Sequence, residues 1–103
     1  MSLQQLDGPS SQGTIPITNS VIVEVKVNAS SLEERKVITL QPLGGKIRVY
    51  FADEGVTPSL SDVQNKGFRH FKNQLHSYEA GPLQKVYIVS ESGSFDVVVA
   101  ERA

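Results

Sequence analysis

The chain contains no cysteine. That absence removes disulfides, thiolate nucleophiles and cysteine-bound zinc, and it suits assembly in a reducing cytosol. No apolar run approaches the roughly 20 residues that span a bilayer, so no membrane partner is expected. The first seven residues lack a basic stretch followed by an apolar one, so no secretory signal is expected either. The formal net charge is -1, which gives no basic field for nucleic acid or an anionic membrane. No serine sits in a Gly-x-Ser-x-Gly elbow. Gly44-Gly45-Lys46 lacks the earlier glycine and the following Ser/Thr of a phosphate loop, and it lies between two strand patterns instead of before a helix. The acidic pairs Glu33-Glu34 and Asp53-Glu54 would point to opposite faces of a strand, unlike a catalytic carboxylate pair. The expectation is a non-enzymatic chain with no cofactor and no metal.

What is present is β-pattern. The 103 residues, 39% hydrophobic and 20% charged, suit one soluble domain. A chain of this size buries roughly 60–70% of its unfolded surface, and oligomerisation is the obvious source of further stability. Residues 35–51 read as strand, Pro/Gly break, strand, which predicts a β-hairpin. Its first strand, 35–41, turns Ile38 and Leu40 to one face. Its second, 46–52, turns Ile47, Val49 and Phe51 inward and leaves Lys46, Arg48 and Tyr50 outside. Residues 21–27 alternate Val with Glu24 and Lys26, which predicts another strand with its valines in the core. A strand at 85–89 is apolar on both faces and hence central. A turn at 91–94 leads into a last strand at 95–100 with Phe95, Val97 and Val99 facing in.

The remaining segments are weaker. Residues 28–34 read as a loop, with Ser30 or Ser31 placed to cap a single turn. Residues 53–66, punctuated by Gly55, Pro58, Ser59 and Ser61, read as a long loop pinned by Leu60 and Val63. Residues 68–71 and 74–78 read as two short strands turned at Lys72-Asn73. An amphipathic helix through 59–76 is the competing reading, which Gly67 disfavours. Such strands paired as a hairpin would bring His70 and His76 near Glu79 or Asp62, the makings of a two-His-one-carboxylate site. Exposed polar positions on a ribbon explain both histidines without a metal. Lys66, Arg69, His70 and Lys72 with Phe68 and Phe71 form the one basic and aromatic cluster; with a net charge of -1, no direct nucleic-acid contact is expected. Residues 1–19, rich in Gly, Pro, Ser and Gln, read as a flexible N-terminal arm. Leu3, Leu6, Ile15 and Ile17 would anchor it if it ordered on a neighbouring subunit. Residues 20–103 form the domain. The fold class is all-β: a small β-sandwich or jelly-roll-like barrel of six to eight short strands.

From residue 28 to residue 101 the chain resembles a group of small tailed-phage virion proteins. The likeness rests on Asn28-Ala29-Ser30-Ser31-Leu32-Glu33-Glu34-Arg35-Lys36 leading into Val37-Ile38-Thr39-Leu40-Gln41. It continues through Ile47-Arg48-Val49-Tyr50-Phe51, Val86-Tyr87-Ile88-Val89-Ser90, the Ser92-Gly93 turn and Phe95-Asp96-Val97-Val98-Val99-Ala100-Glu101. Residues 55–80 depart from the pattern. The resemblance implies a capsid decoration (cement) or head-fibre-base protein, commonly a homotrimer, placed on the capsid surface of a virion assembled in the host cytoplasm. Its partner would be the major capsid protein. Adhesion is then expected through the 1–19 arm and the 53–66 loop. The residues singled out for contact are Leu3, Leu6, Ile15, Arg48, Tyr50, Leu60, Phe68 and Phe71. A neck or tail adaptor is the neighbouring alternative. A carbohydrate- or host-surface-binding module using Tyr50, Tyr78 and Tyr87 as an aromatic platform is another.

Overall fold

The structure is a computed structural model that describes residues 8, 10–28 and 32–103. Among these residues eight strands and one short helix follow in chain order. They are β1 (Ser10–Ile17), β2 (Val23–Glu24), β3 (Val37–Pro42), β4 (Ile47–Ala52), α1 (Leu60–Lys66), β5 (Phe68–His70), β6 (His76–Glu79), β7 (Lys85–Ser90) and β8 (Phe95–Arg102). They form two antiparallel four-stranded sheets, ordered β1-β8-β3-β6 and β2-β7-β4-β5. Every connection between consecutive strands passes from one sheet to the other, except β4–α1–β5. That alternation is jelly-roll topology, the more specific of the two all-β architectures expected from sequence.

The alternation of side chains fixes the two inner faces. Ile38 and Leu40 of β3, Ile47 and Val49 of β4, Val86 and Ile88 of β7, and Val97 and Val99 of β8 meet between the sheets, joined by Ile17 and Val25. β7 and β8 are each central in their sheet. Val89 on the outer face of β7 is also buried, because α1 packs against β4 and β7 there. This explains why β7 reads as apolar on both faces.

The strands at 35–41 and 46–52 exist nearly as expected, but they do not pair with each other. β3 pairs with β6 and β8, whereas β4 pairs with β5 and β7. The expected hairpin is an arch between sheets. Its bend is shaped by close approach: a Cβ on Gly44 would stand 2.3 Å from the Phe95 Cβ, and the Leu43 N–H donates to the Asp96 carbonyl at 3.0 Å. The ribbon expected from 68–78 is corrected in the same way, since β5 and β6 belong to different sheets.

Three further expectations change. Residues 60–66 are helical, in place of a loop. Ser59 and Asp62 form a reciprocal capping box: the Asp62 N–H donates to Ser59 Oγ at 3.1 Å and the Ser59 N–H donates to Asp62 Oδ2 at 3.3 Å. That box satisfies two of the helix's orphan donors, and Gly67 falls just beyond the last turn, where it does no harm. Residues 10–17, read from sequence as part of the arm, are a strand. They pair with β8 along their whole length, while residues 1–7 and 9 lie outside the described residues. The strand expected at 21–27 contracts to two ladder residues, with Val25 buried and Val21 exposed.

Candidate interaction surface

β5 and β6 are the last strands of their respective sheets on the same side of the sandwich. Phe68 is paired with Val49 and His70 with Ile47, so both side chains take the inward face of β5. His76 is paired with Leu40 and Tyr78 with Ile38, so both take the inward face of β6. The seam between the sheets is therefore lined by aromatic rings. Phe51 meets Tyr78 edge-on at 5.1 Å and Phe68 at 6.4 Å. His70 and His76 stack at 3.7 Å between centroids.

One hydrogen bond joins the two edges. The His70 Nδ1 lies 2.9 Å from the Arg69 carbonyl, which can only accept. This places the proton of neutral His70 on Nδ1 and leaves Nε2 to accept from the Tyr78 hydroxyl. Burial pushes the His70 pKa below its ordinary value; the Arg69 carbonyl opposes the shift and His76 adds to it. Burial likewise raises the Tyr78 phenol above its ordinary value. Both shifts favour the neutral forms that make this bond.

Phe68 is the anomaly of the seam. It occupies a core-facing register position yet is 66% exposed. Phe71 and Leu75 follow it in the next loop and are exposed as well. An aromatic side chain facing inward at an open edge has nothing on its outer side to pack against.

The outer face of the β2-β7-β4-β5 sheet is polar. Arg69 forms a two-pronged ion pair with Glu91, at 2.8 and 2.9 Å. Arg48 stands beside them, with Nε 3.5 Å from Glu91 Oε1 and Nη1 donating to the Gly67 carbonyl at 3.1 Å. Its Nε is close enough for charge attraction but makes no aligned hydrogen bond. Burial raises the Glu91 pKa, but the Arg69 hydrogen bond and charge, with Arg48 and Lys46 behind them, bring it below its ordinary value. Arg48 and Glu91 with Gln64, Asn65 and Ser90 line a shallow hollow beside α1.

The residues singled out from sequence thus separate. Phe68 and Phe71 lie at the β5–β6 edge. Arg48 is held in the Glu91 group. Tyr50 is half-buried on the outer face of β4, opposite Tyr87. Leu60 is half-buried at the start of α1, and Ile15 on β1 packs against the core. Leu3 and Leu6 lie outside the described residues. Tyr78 lines the seam, apart from Tyr50 and Tyr87, so the three tyrosines do not form one platform. His70 and His76 do meet, but as parallel rings whose in-plane lone pairs do not converge on one ion. Among the described residues no group of three or more His, Cys, Asp or Glu is placed to hold a metal.

Two buried charges were not anticipated. Arg35 and Glu101 are 2% and 0% exposed and form an ion pair at 2.8 Å. Their signal was in the alternation, which carries the inward series Phe95, Val97, Val99 onto Glu101. A carboxylate at a core position requires a partner. No family model matches the chain, and no match is found among the curated proteins or the solved structures.

Proposed function

We propose that this chain is a non-enzymatic virion structural protein that decorates a phage capsid, binding the lattice of the major capsid protein and stiffening the shell. The observation that carries the reading is Phe68, an inward-register aromatic left two-thirds exposed at an open sheet edge. Such a side chain is completed by a second protein surface. Its full burial would contribute on the order of 1.5–3 kcal/mol per contact, and a lattice of repeated sites multiplies modest contacts into firm attachment. The resemblance of residues 28–101 to tailed-phage virion proteins supplies the identity of that surface. Jelly rolls serve in viral capsids and in lectins alike, so the fold alone does not choose between them.

The test is co-sedimentation with expanded, DNA-free capsids built from the major capsid protein of the same genome, beside a glycan panel. Capsid binding that is lost in Phe68→Ser, with no glycan binding, is the expected result. Binding to glycans and not to capsids overturns the reading.

A further inference from the structure

Two five-residue loops stand at opposite ends of the sandwich, and every residue in each is exposed: 53–57 and 71–75. The strand registers fix their positions. Residues 53–57 follow the Ala52 end of β4, which lies beside Lys85. Residues 71–75 lie at the far end, where the Asn73 N–H donates to the Pro42 carbonyl at 2.7 Å. A six-residue strand separates the two ends by about 20 Å.

Both loops are held in shape. In 71–75 the Gln74 N–H donates to the Phe71 carbonyl and the Phe71 N–H donates to Gln74 Oε1, both at 3.2 Å. Gln41 Nε2 donates to the Asn73 carbonyl at 2.9 Å, and Asn73 takes a φ of 65°. Lys46 Nζ sits 5.5 Å above the Phe71 ring. In 53–57 the Val56 N–H donates to the Asp53 carbonyl at 3.0 Å, with Gly55 at a φ of 81°. Ordering costs on contact are correspondingly small.

The two ends differ in sign. Lys46, Lys72, Arg69 and Arg48 surround the 71–75 end against Glu91 and Asp96, with Phe71 46% and Leu75 67% exposed among them. At the other end Asp53 and Glu54 flank Val56, which is 52% exposed, and exposed Leu83, Glu79, Glu33 and Glu34 lie beyond. Among the described residues the cations at that end are Lys26 and Lys85, which share Glu24, together with Lys36 and Arg102, fewer than the carboxylates. Each end thus joins exposed apolar side chains to a charge excess opposite to that of the other end.

We infer that copies of this chain associate head to tail, the 71–75 end of one copy seating on the 53–57 end of the next. The contact is heterologous, so it closes into a ring or runs on as a filament according to the rotation at each step. It does not depend on what surface the β5–β6 seam meets, and failure to bind capsids leaves it standing.

Sedimentation of the wild-type chain at low ionic strength should show species heavier than the 11.2 kDa monomer, shifting back toward monomer as salt rises. The Phe71→Ser/Lys72→Glu variant loses the basic end, and Asp53→Lys/Val56→Ser loses the acidic end. Each alone should sediment as monomer. An equimolar mixture should form one-to-one dimers and nothing larger, because one intact end of each kind remains. Leu75→Ser and Glu54→Lys replace either double variant if circular dichroism finds it unfolded. A wild type that stays monomeric at every concentration overturns the inference. So does a mixture that stays monomeric, or an acidic-end variant that dimerises alone, the mark of a symmetric contact through 71–75.

Discussion

Arg35 and Glu101 form a fully buried ion pair, with Arg35 Nη1 2.8 Å from Glu101 Oε2. Every remaining polar atom of both groups is engaged. Arg35 Nε donates to the Ala80 carbonyl, and Nη2 donates to the carbonyls of Gly81 and Gln84. Glu101 accepts from the backbone N–H groups of Val27 and Leu32 at 2.9 and 3.0 Å. One pair therefore ties β8 to two connections between the sheets. Removing one partner alone, as in Arg35→Met or Glu101→Leu, leaves a buried charge uncompensated and should cost about 3–5 kcal/mol. Urea unfolding measures it. Arg35→Met/Glu101→Leu should cost less than the sum of its single variants, because no stranded charge remains. Strict additivity would show that the two groups act independently.

The bend between β3 and β4 depends on Gly44. Gly44→Ala drives a Cβ into Phe95 Cβ, the rigid root of that side chain, at 2.3 Å. Gly45→Ala meets the outer part of the ring at 3.2 Å. The first substitution should destabilise by about 1–3 kcal/mol and the second by less. Equal melting temperatures for the two variants would contradict this geometry.

Acid should loosen the seam. The folded pKa of His70 lies below its unfolded value because burial disfavours the cation. The unfolded chain then binds more protons as pH falls below about 6.5. The stability held by neutral His70 is fully present above that pH and is lost as pH falls through the folded pKa. Among the described residues the titratable groups beside it are His76 and Tyr78 on β6 and its neighbour Arg69, none of them a carboxylate. His70→Gln should flatten the stability–pH curve in this window. The raised Tyr78 pKa acts at the other extreme: its contribution is present below pH about 10 and is lost as pH rises through the folded value.

The α1 capping box offers a local check. Ser59→Ala removes the acceptor of the Asp62 N–H and should cost about 1 kcal/mol. The Asp62 carboxyl, held below its ordinary pKa first by the Ser59 N–H, should retain much of that shift. An NMR titration of Asp62 in both proteins reads it directly.

Exposed Phe68 should behave unlike the core. Phe68→Ser loses an edge contact with Phe51 at 6.4 Å and little else, so its stability should fall by no more than about 1 kcal/mol. Val49→Ala, at the paired but buried position, should cost more, by cavity formation. Comparable losses would mean that Phe68 is packed in solution.

Period-two alternation made the strands legible. Ile38/Leu40, Ile47/Val49 and Val97/Val99 all fall on the inner faces read from sequence. The helix at 60–66 carries a signal of its own, Ser59 followed three residues later by Asp62, which the reading of 53–66 as a loop did not use. In the seam, the aromatic residues were visible as types. Their meeting was not, because β5 and β6 reach each other only across two sheets.

The sequence by itself determined the inner faces of β3, β4 and β8, that the chain is all-β, and that its cysteine-free core is built largely of valine, isoleucine and leucine. Alternation says which face a side chain takes but not which strand lies beside it. The short Leu43–Lys46 connection, with Gly44 and Gly45, serves a hairpin or an arch equally well. Tertiary structure made that choice: Gly44 closes on Phe95, and β3 and β4 face each other as opposite walls of one core. The same choice placed Arg35 on Glu101, His70 on Tyr78, and the basic and acidic loops at opposite ends.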